Sequence, residues 1–265
     1  IGFYDFAQGI SGIWDPEAYS ISALICGDED IFYGVGKRTT EHSSELDKIL
    51  VFKEGQPALW LTDPMDISIG CYVARDAKRT GLNSLFTGSR DFKRIIFIGT
   101  RNGKQSVFIF ETQSSKIIEI PWEANVLAFD LLSCDADSCQ LVCLADSINQ
   151  PGEIFRLQWD YLNPVQVEKI TSFNDKITAH WPKVETKEFK LPTVDGLKIQ
   201  GWLMQKANID TPENKGAILI IHGGPYLSFG KGFYFDFVYL SSLGYAVIFC
   251  NPRGSAGYGQ TFARA

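Results

Sequence analysis

The chain has 265 residues, with 31 acidic against 25 basic side chains and a formal net charge of −6. No dense Lys/Arg block marks it as a nucleic-acid binder, and 24 glycines with 11 prolines are ordinary usage, which excludes collagen-like and disordered chains. Hydrophobic residues at 45% and charged residues at 21% describe a globular protein with a core, long enough for one large domain or two modest ones.

The first two thirds carry strand signals almost without helix signals. In chain order the predicted strands are Tyr19–Cys26, Ile31–Val35, Lys48–Phe52 and Ala58–Thr62, then Leu82–Thr87, Arg94–Thr100, Ser106–Phe110 and Ile117–Ile120. Asn102-Gly103 supplies the positive φ angles of a tight hairpin between two of them. Val126–Leu132, Leu141–Ala145, Ile154–Trp159 and Val165–Thr171 repeat the pattern. Each unit ends on a similar pair, Leu61-Thr62, Ile120-Pro121 and Ile170-Thr171, at a spacing of about 50 to 60 residues. Four-stranded meanders at such a period suggest about three propeller blades over residues 1–175, in preference to an irregular β-sandwich. A ring closes with about four to eight blades, so further blades are expected before Ile1. His42 and His180 read as ordinary polar positions.

Of the six cysteines, Cys134, Cys139 and Cys143 form the nearest cluster. It has no paired C-x-x-C spacing and no neighbouring histidine, so no metal site and no disulfide scaffold are expected. Free thiols favour a cytoplasmic location; a secreted one is the alternative if a leader preceded Ile1. The apolar runs are too short to span a bilayer, and no membrane association is expected.

A connector is predicted near Ser172–Thr186, with its centre at 176–185. From residue 186 onward the pattern changes. Glu188–Leu191 and Leu197–Leu203 flank Asp195-Gly196 as a hairpin, and 208–215 is a polar loop. Ala217–Ile221 reads as a strand buried on both faces, Phe233–Leu243 as a helix stopped by Gly244, and Tyr245–Cys250 as a second buried strand. Strand, helix, strand makes a βαβ unit. Phe262 to Ala265 reads as the opening of a further helix, so both ends of the chain look cut.

His222-Gly223-Gly224-Pro225 follows the first buried strand directly. Two glycines at a strand's C-terminal end can aim an N–H into the crevice where α/β sheets bind ligands. Such a donor can hold the oxyanion of acyl transfer; a plain tight turn is the competing reading. A loop-shaping role is expected for His222 rather than that of a base, since its motif offers no nucleophile and no orienting partner. Asn251-Pro-Arg-Gly-Ser-Ala-Gly-Tyr-Gly259 follows the second strand. Arg253 there is expected to brace the first loop through a carboxylate, or else to bind a substrate carboxylate. Asn251 and Tyr258 are candidates for the surroundings of the site or for substrate contact. Gly-x-Ser-x-Gly occurs nowhere, so no catalytic residue is assigned within the chain.

Asp195-Gly196, Gly201-Trp202, Ile220-Ile-His-Gly-Gly-Pro225, Gly244-Tyr-Ala-Val247 and Asn251-Pro-Arg-Gly-Ser-x-Gly-Tyr-Gly259 together resemble the prolyl oligopeptidase family of serine peptidases, in its acylaminoacyl-peptidase and dipeptidyl-peptidase branch. The resemblance implies incomplete propeller blades followed by the start of an α/β-hydrolase domain over 186–265. It also implies that Gly223 N–H is one oxyanion donor and that Ser, Asp and His of a triad follow Ala265. The implied activity is hydrolysis of short peptides through an acyl-enzyme, with no cofactor and with room for homo-oligomers in the complete protein. The chain by itself is expected to be inactive. The alternatives are a non-catalytic propeller-based binding protein with a degenerate hydrolase lobe, or a serine esterase.

Overall fold

The computed structural model describes residues 2–5, 10–13, 19–27, 31–38, 45–53, 56–62, 65–76, 85–207, 215–224 and 226–264. The positions of His42, of the 208–214 loop, of Pro225 and of the first half, 82–84, of the expected Leu82–Thr87 strand lie outside them.

After a hairpin of β1 (Gly2–Asp5) and β2 (Ile10–Ile13), three antiparallel sheets follow in chain order. The first is β3 (Tyr19–Cys26), β4 (Ile31–Arg38), β5 (Lys48–Lys53) and β6 (Leu59–Trp60), each paired with the next. In the second, β7 (Ser68–Ile69) and β8 (Phe86–Gly88) both pair with β9 (Arg94–Arg101), which pairs with β10 (Lys104–Glu111) and it with β11 (Lys116–Glu119). The third is β12 (Asn125–Cys134), β13 (Cys139–Ser147), β14 (Gln150–Trp159) and β15 (Gln166–Lys169).

Side-chain alternation explains why these sheets stack. In β9, Ile95 and Phe97 join the first sheet's Tyr33, Val35 and Ile49, while Ile96 and Ile98 pack against Phe129, Leu141 and Leu157 of the third. Phe108 and Phe110 of β10 face the first sheet, and Val107 and Ile109 the third. Successive strand residues point to opposite faces, so a continuous apolar run is what a sheet between two others requires. The closing pair of each unit also repeats in space. Leu61, Ile120 and Ile170 donate their N–H to the carbonyls of Ile49, Val107 and Ile154, at 2.8, 3.0 and 2.8 Å. Thr62 and Thr171 hydroxyls accept the N–H of the same Ile49 and Ile154, at 2.9 and 2.8 Å. Pro121 has no hydroxyl and leaves the second unit without this bond. These sheets are propeller blades.

The connector contains one turn of helix, α1 (Asp175–Thr178), and ends earlier than the sequence suggests, because β16 (Val184–Pro192) starts at Val184. β17 (Lys198–Lys206) pairs with β16 and with β19 (Ala246–Cys250), and β18 (Ala217–Ile220) runs parallel to β19. Helix α2 (Phe235–Ser242) crosses between the parallel strands and ends before Gly244, at φ +95°. It covers one sheet face, where Phe229, Phe237, Val247, Phe249, Trp202 and Met204 are buried. This is the beginning of an α/β-hydrolase sheet. A last helix, α3 (Gln260–Arg264), follows.

One expectation is corrected. The Ala217–Ile221 run is not buried on both faces: β18 lies at the sheet edge, and Leu219 and Ile221 are 58% and 75% exposed. Among the described residues no strand pairs with its outer edge, so its apolar residues lack the second layer that continuous hydrophobicity predicts.

The blades grip the C-terminal sheet through backbone. The Asn102-Gly103 turn sits against it, with Gly103 O accepting Lys231 N–H at 2.8 Å and Asn102 N–H reaching Gly257 O at 2.9 Å. A Cβ on Gly230 would lie 1.7 Å from Gly103 O. Val73 forms a parallel bridge with Ser228. Tyr234, the N-cap of α2, offers no side-chain bond; instead the Asp76 carboxylate of the second blade accepts Phe235 N–H. Nearby, Asp146 is buried, with its Oδ1 on Asn125 Nδ2 at 2.7 Å. Burial pushes its carboxyl up to about 6, against the lowering effects of Asn125, the Phe233 N–H and Arg75.

Two predictions follow from this junction. Gly230→Ala must displace the Gly103 turn and is expected to cost about 2 kcal/mol or more in denaturant unfolding; a variant as stable as the parent would refute that seating. Because the raised Asp146 carboxyl holds its proton better in the folded state than in the unfolded chain, its contribution is present at acid pH and is lost as pH rises from about 4 through about 6. Asp146→Asn should therefore gain on the parent over that window, by on the order of 2–3 kcal/mol. A stability difference that is flat with pH would count against it.

Candidate active site

Parallel strands β18 and β19 end side by side, so the loops after them meet where an open α/β sheet binds ligands. Beyond Ile220 the chain leaves the sheet, and Gly223 and Gly224 are exposed. No atom lies within 4 Å of where a Cβ on Gly223 would be. Gly224 has φ +144°, and its Cβ would fall 2.9 Å from Tyr226 N and 3.1 Å from Leu227 N, so only glycine fits there without strain. Among the described residues, neither the Gly223 nor the Gly224 N–H donates to an acceptor.

His222 turns back over this bend. Its Nδ1 lies 2.9 Å from Gly223 O and its Nε2 3.1 Å from Ser255 Oγ. The ring meets Phe229 edge-on, with centroids 5.0 Å apart. Ser255 is fully buried, and its hydroxyl donates to Pro252 O at 2.6 Å. A serine beside a histidine invites comparison with a nucleophile and its base. Here the hydroxyl is out of reach of substrate, and among the described residues no carboxylate orients the ring, so neither requirement is met. Sequence reasoning passed over Ser255 because it fails Gly-x-Ser-x-Gly; its place at the end of the neighbouring parallel strand was the signal for a contact with His222.

The second loop is held from within. Asn251 is buried; its Oδ1 accepts Phe229 N–H at 2.7 Å, and its Nδ2 donates to Phe229 O at 2.8 Å and to Tyr258 Oη at 2.6 Å. Tyr258 Oη donates to Gln200 Oε1 at 2.6 Å, and burial raises its pKa above the ordinary phenol range. Both side chains are thus committed to fastening the two loops to β17. Arg253 pairs with Asp195, in the turn between β16 and β17, and not with the first loop. The Thr193 hydroxyl first, and Arg253 after it, hold the Asp195 carboxyl down at about 2. The pair is exposed and adds little stability. Ser68 Oγ from the blades accepts Gly257 N–H at 2.9 Å, and Gln260 Oε1 of α3 accepts the blade N–H of Leu46 at 3.0 Å. Among the described residues no group of His, Cys, Asp or Glu could hold a metal ion, and no helix is long and apolar enough to cross a membrane.

Propeller blades lead here into a hydrolase-type sheet, with a glycine bend at its first parallel strand. The sequence model of the Prolyl oligopeptidase family matches residues 231–265. The chain is 26% identical over 205 residues to the uncharacterized peptidase YuxL of Bacillus subtilis, covering 77% of this chain and 30% of that protein. It is 24% identical over 184 residues to the acylamino-acid-releasing enzyme of Mus musculus, covering 65% and 24%. The solved Pyrococcus horikoshii acylaminoacyl peptidase superposes with TM-score 0.71 at 21% identity, over 97% of this chain and 36% of that one. An acylaminoacyl peptidase in complex with Z-Gly-Gly-Phe-chloromethyl ketone gives 0.69 at 22% identity, with the same coverage. The chain spans about a third or less of the length of these relatives.

The two glycines make a paired prediction. Gly223→Ala should leave the thermal midpoint where it is, since its Cβ meets nothing, whereas Gly224→Ala should lower stability by about 1–3 kcal/mol through its backbone conformation. Equal effects at both positions would show that the bend differs from this one.

Proposed function

We propose that this chain is the middle part of a serine peptidase that hydrolyses short peptides near their N-terminus through an acyl-enzyme. The observation that carries the reading is the pair of exposed amides, Gly223 and Gly224 N–H, left without acceptors beside the end of β18. Most backbone N–H groups within folded structure find a partner. Two adjacent ones kept open at a sheet's ligand-binding end suit an anion that exists only during reaction. Relatives bearing the names acylamino-acid-releasing enzyme and dipeptidyl-peptidase 5 support a peptide substrate. In this reading residues 1–175 are blades that restrict entry, 176–185 connect, and 186–265 begin the catalytic domain. The nucleophile, acid and base belong to the part of the complete protein after Ala265, and the second oxyanion donor is the amide following the nucleophile. The site of action is the cytoplasm.

The complete protein should cleave short peptides and be labelled by a serine-directed phosphonate, while the 265-residue chain does neither. Labelling of the chain alone above background would sink the assignment. In the complete protein Gly223→Pro, which deletes one amide hydrogen, should lower kcat by about 10²–10³-fold.

A further inference from the structure

We propose that Cys134 and Cys139, at the end of the β12–β13 hairpin, are a modification site: a dithiol that hydrogen peroxide converts reversibly to a disulfide. The two residues are paired across the strands. Next to them, Asp135 N–H donates to Ser138 O at 2.9 Å, which makes 135 and 138 a hydrogen-bonded pair of the ladder. Pairs alternate along antiparallel strands, so Cys134 and Cys139 are a non-hydrogen-bonded pair, the kind whose Cα atoms approach to about 4.5 Å. A disulfide accepts about 4.4–6.8 Å. Both side chains enter the same core cluster, so they stand on one face of the sheet. Cys143 shares that face but lies opposite Phe129 and Phe155, with no cysteine across from it.

Tyr161 is brought beside the pair in an uncommon backbone conformation, φ +65°. Its hydroxyl donates to Asp135 O at 2.9 Å and lies 3.4 Å from Cys134 Sγ, toward which it can turn as negative charge develops. The Arg94 guanidinium stands 5.9 Å from the Tyr161 ring centroid. Cys134 is 8% exposed and Cys139 1%, so a small oxidant meets Cys134 first. The neighbouring Cys139 thiol, against the effect of burial and with help from Tyr161 and Arg94, holds the Cys134 thiol below the ordinary range, and Cys139 is pushed above it. Cys134 is therefore the nucleophile and Cys139 the resolving partner. The Cys134 thiolate attacks one peroxide oxygen; the O–O bond breaks, and the departing hydroxide takes up the thiol's proton as water. The Cys139 sulfur then attacks the sulfenic acid; the S–S bond forms, the S–O bond breaks, and a second water leaves with the Cys139 proton. Two thiols and one peroxide give one disulfide and two waters, with two electrons passing from sulfur to oxygen. In a reducing compartment the pair rests as thiols, and a dithiol reductant restores it. The site does not depend on the peptidase reading.

Mass mapping of the folded protein, treated with hydrogen peroxide and then alkylated, tests this. Trypsin releases Ile117–Arg156, which holds all three cysteines. Untreated protein should carry three alkyl groups on this peptide; treated protein should carry one, on Cys143. Further cleavage before Asp135 or Asp137 should leave two pieces joined through sulfur and parted by dithiothreitol. Cys143→Ala should leave that bridge in place. Cys139→Ser should trap Cys134 as a sulfenic acid that dimedone labels, and Tyr161→Phe should slow bridging by about fivefold or more. Three alkylated cysteines after treatment, a bridge that includes Cys143, or irreversible oxidation of Cys134 without a bridge overturns the site. Absence of dimedone from Cys134 in the Cys139→Ser protein overturns the order of attack, and a bridging rate unmoved by Tyr161→Phe overturns the part given to that hydroxyl.

Discussion

The seating of the Asn102-Gly103 turn between Lys231 and Gly257 is the contact on which the rest of the molecule depends. Both site loops pass through it. The stretch from His222 to Lys231 is stitched to Gly103 at its end, and the stretch from Asn251 to Gly259 is stitched to Asn102 through Gly257 O. Gly103, at φ +68°, has Trp202 side-chain carbons 2.6 Å from where its Cβ would be, and Gly230 touches its carbonyl. Main chain meets main chain with no side chain between, so the tolerance of this joint is a fraction of an ångström. A flexible lysine or arginine contact would transmit position poorly; a joint of glycines transmits it directly.

This explains the contrast inside the site. Asn251, Tyr258 and Gln200 bond to one another, and Asn251 also to Phe229, while Ser255, Gly257 and Gln260 are tied within their loop or to the blades. Against that background the open amides of Gly223 and Gly224 stand out. Exposed N–H groups are met by water, so the bend keeps them turned outward only while its neighbours hold its shape. The dense bonding of the second loop is the restraint, and it is applied through the chain at Phe229, where Asn251 binds both the N–H and the C=O.

Much of the fold was legible in the sequence because two-sided burial writes itself as continuous apolar runs. Ile95 to Ile98 and Val107 to Phe110 sit between blades, and the Asn-Gly turn and closing Thr residues fell where local chemistry put them. The same rule misled at Ala217–Ile221, because hydrophobicity records that a face is to be covered and not which neighbour covers it within the described residues. At the site, the glycine bend was readable from glycine's conformational freedom. The partners of Arg253 and His222 were not: Asp195 lies 58 positions away and Ser255 lies 33 away, and only the pairing of β16, β17, β19 and β18 brings them together.

The junction also settles how helix α2 begins. Tyr234 makes no cap bond of its own, so the exposed N–H groups at that end would face solvent or remain unpaired. Instead Asp76, from the second blade, takes Phe235 N–H, and Asp146, from the third, lies close to Phe233 N–H with its charge opposed by burial. A carboxylate at a helix N-terminus interacts favourably with the aligned peptide dipoles. Here the carboxylates come from blades and the helix from the hydrolase sheet, so the helix is completed only when the two are docked. Because α2 buries Phe237 against Phe249, and Phe249 lies beside Trp202 under the Gly103 turn, the same docking that caps the helix also sets the floor beneath the glycine bend. The order of the site is therefore a property of the assembled pair of lobes rather than of the hydrolase sheet alone.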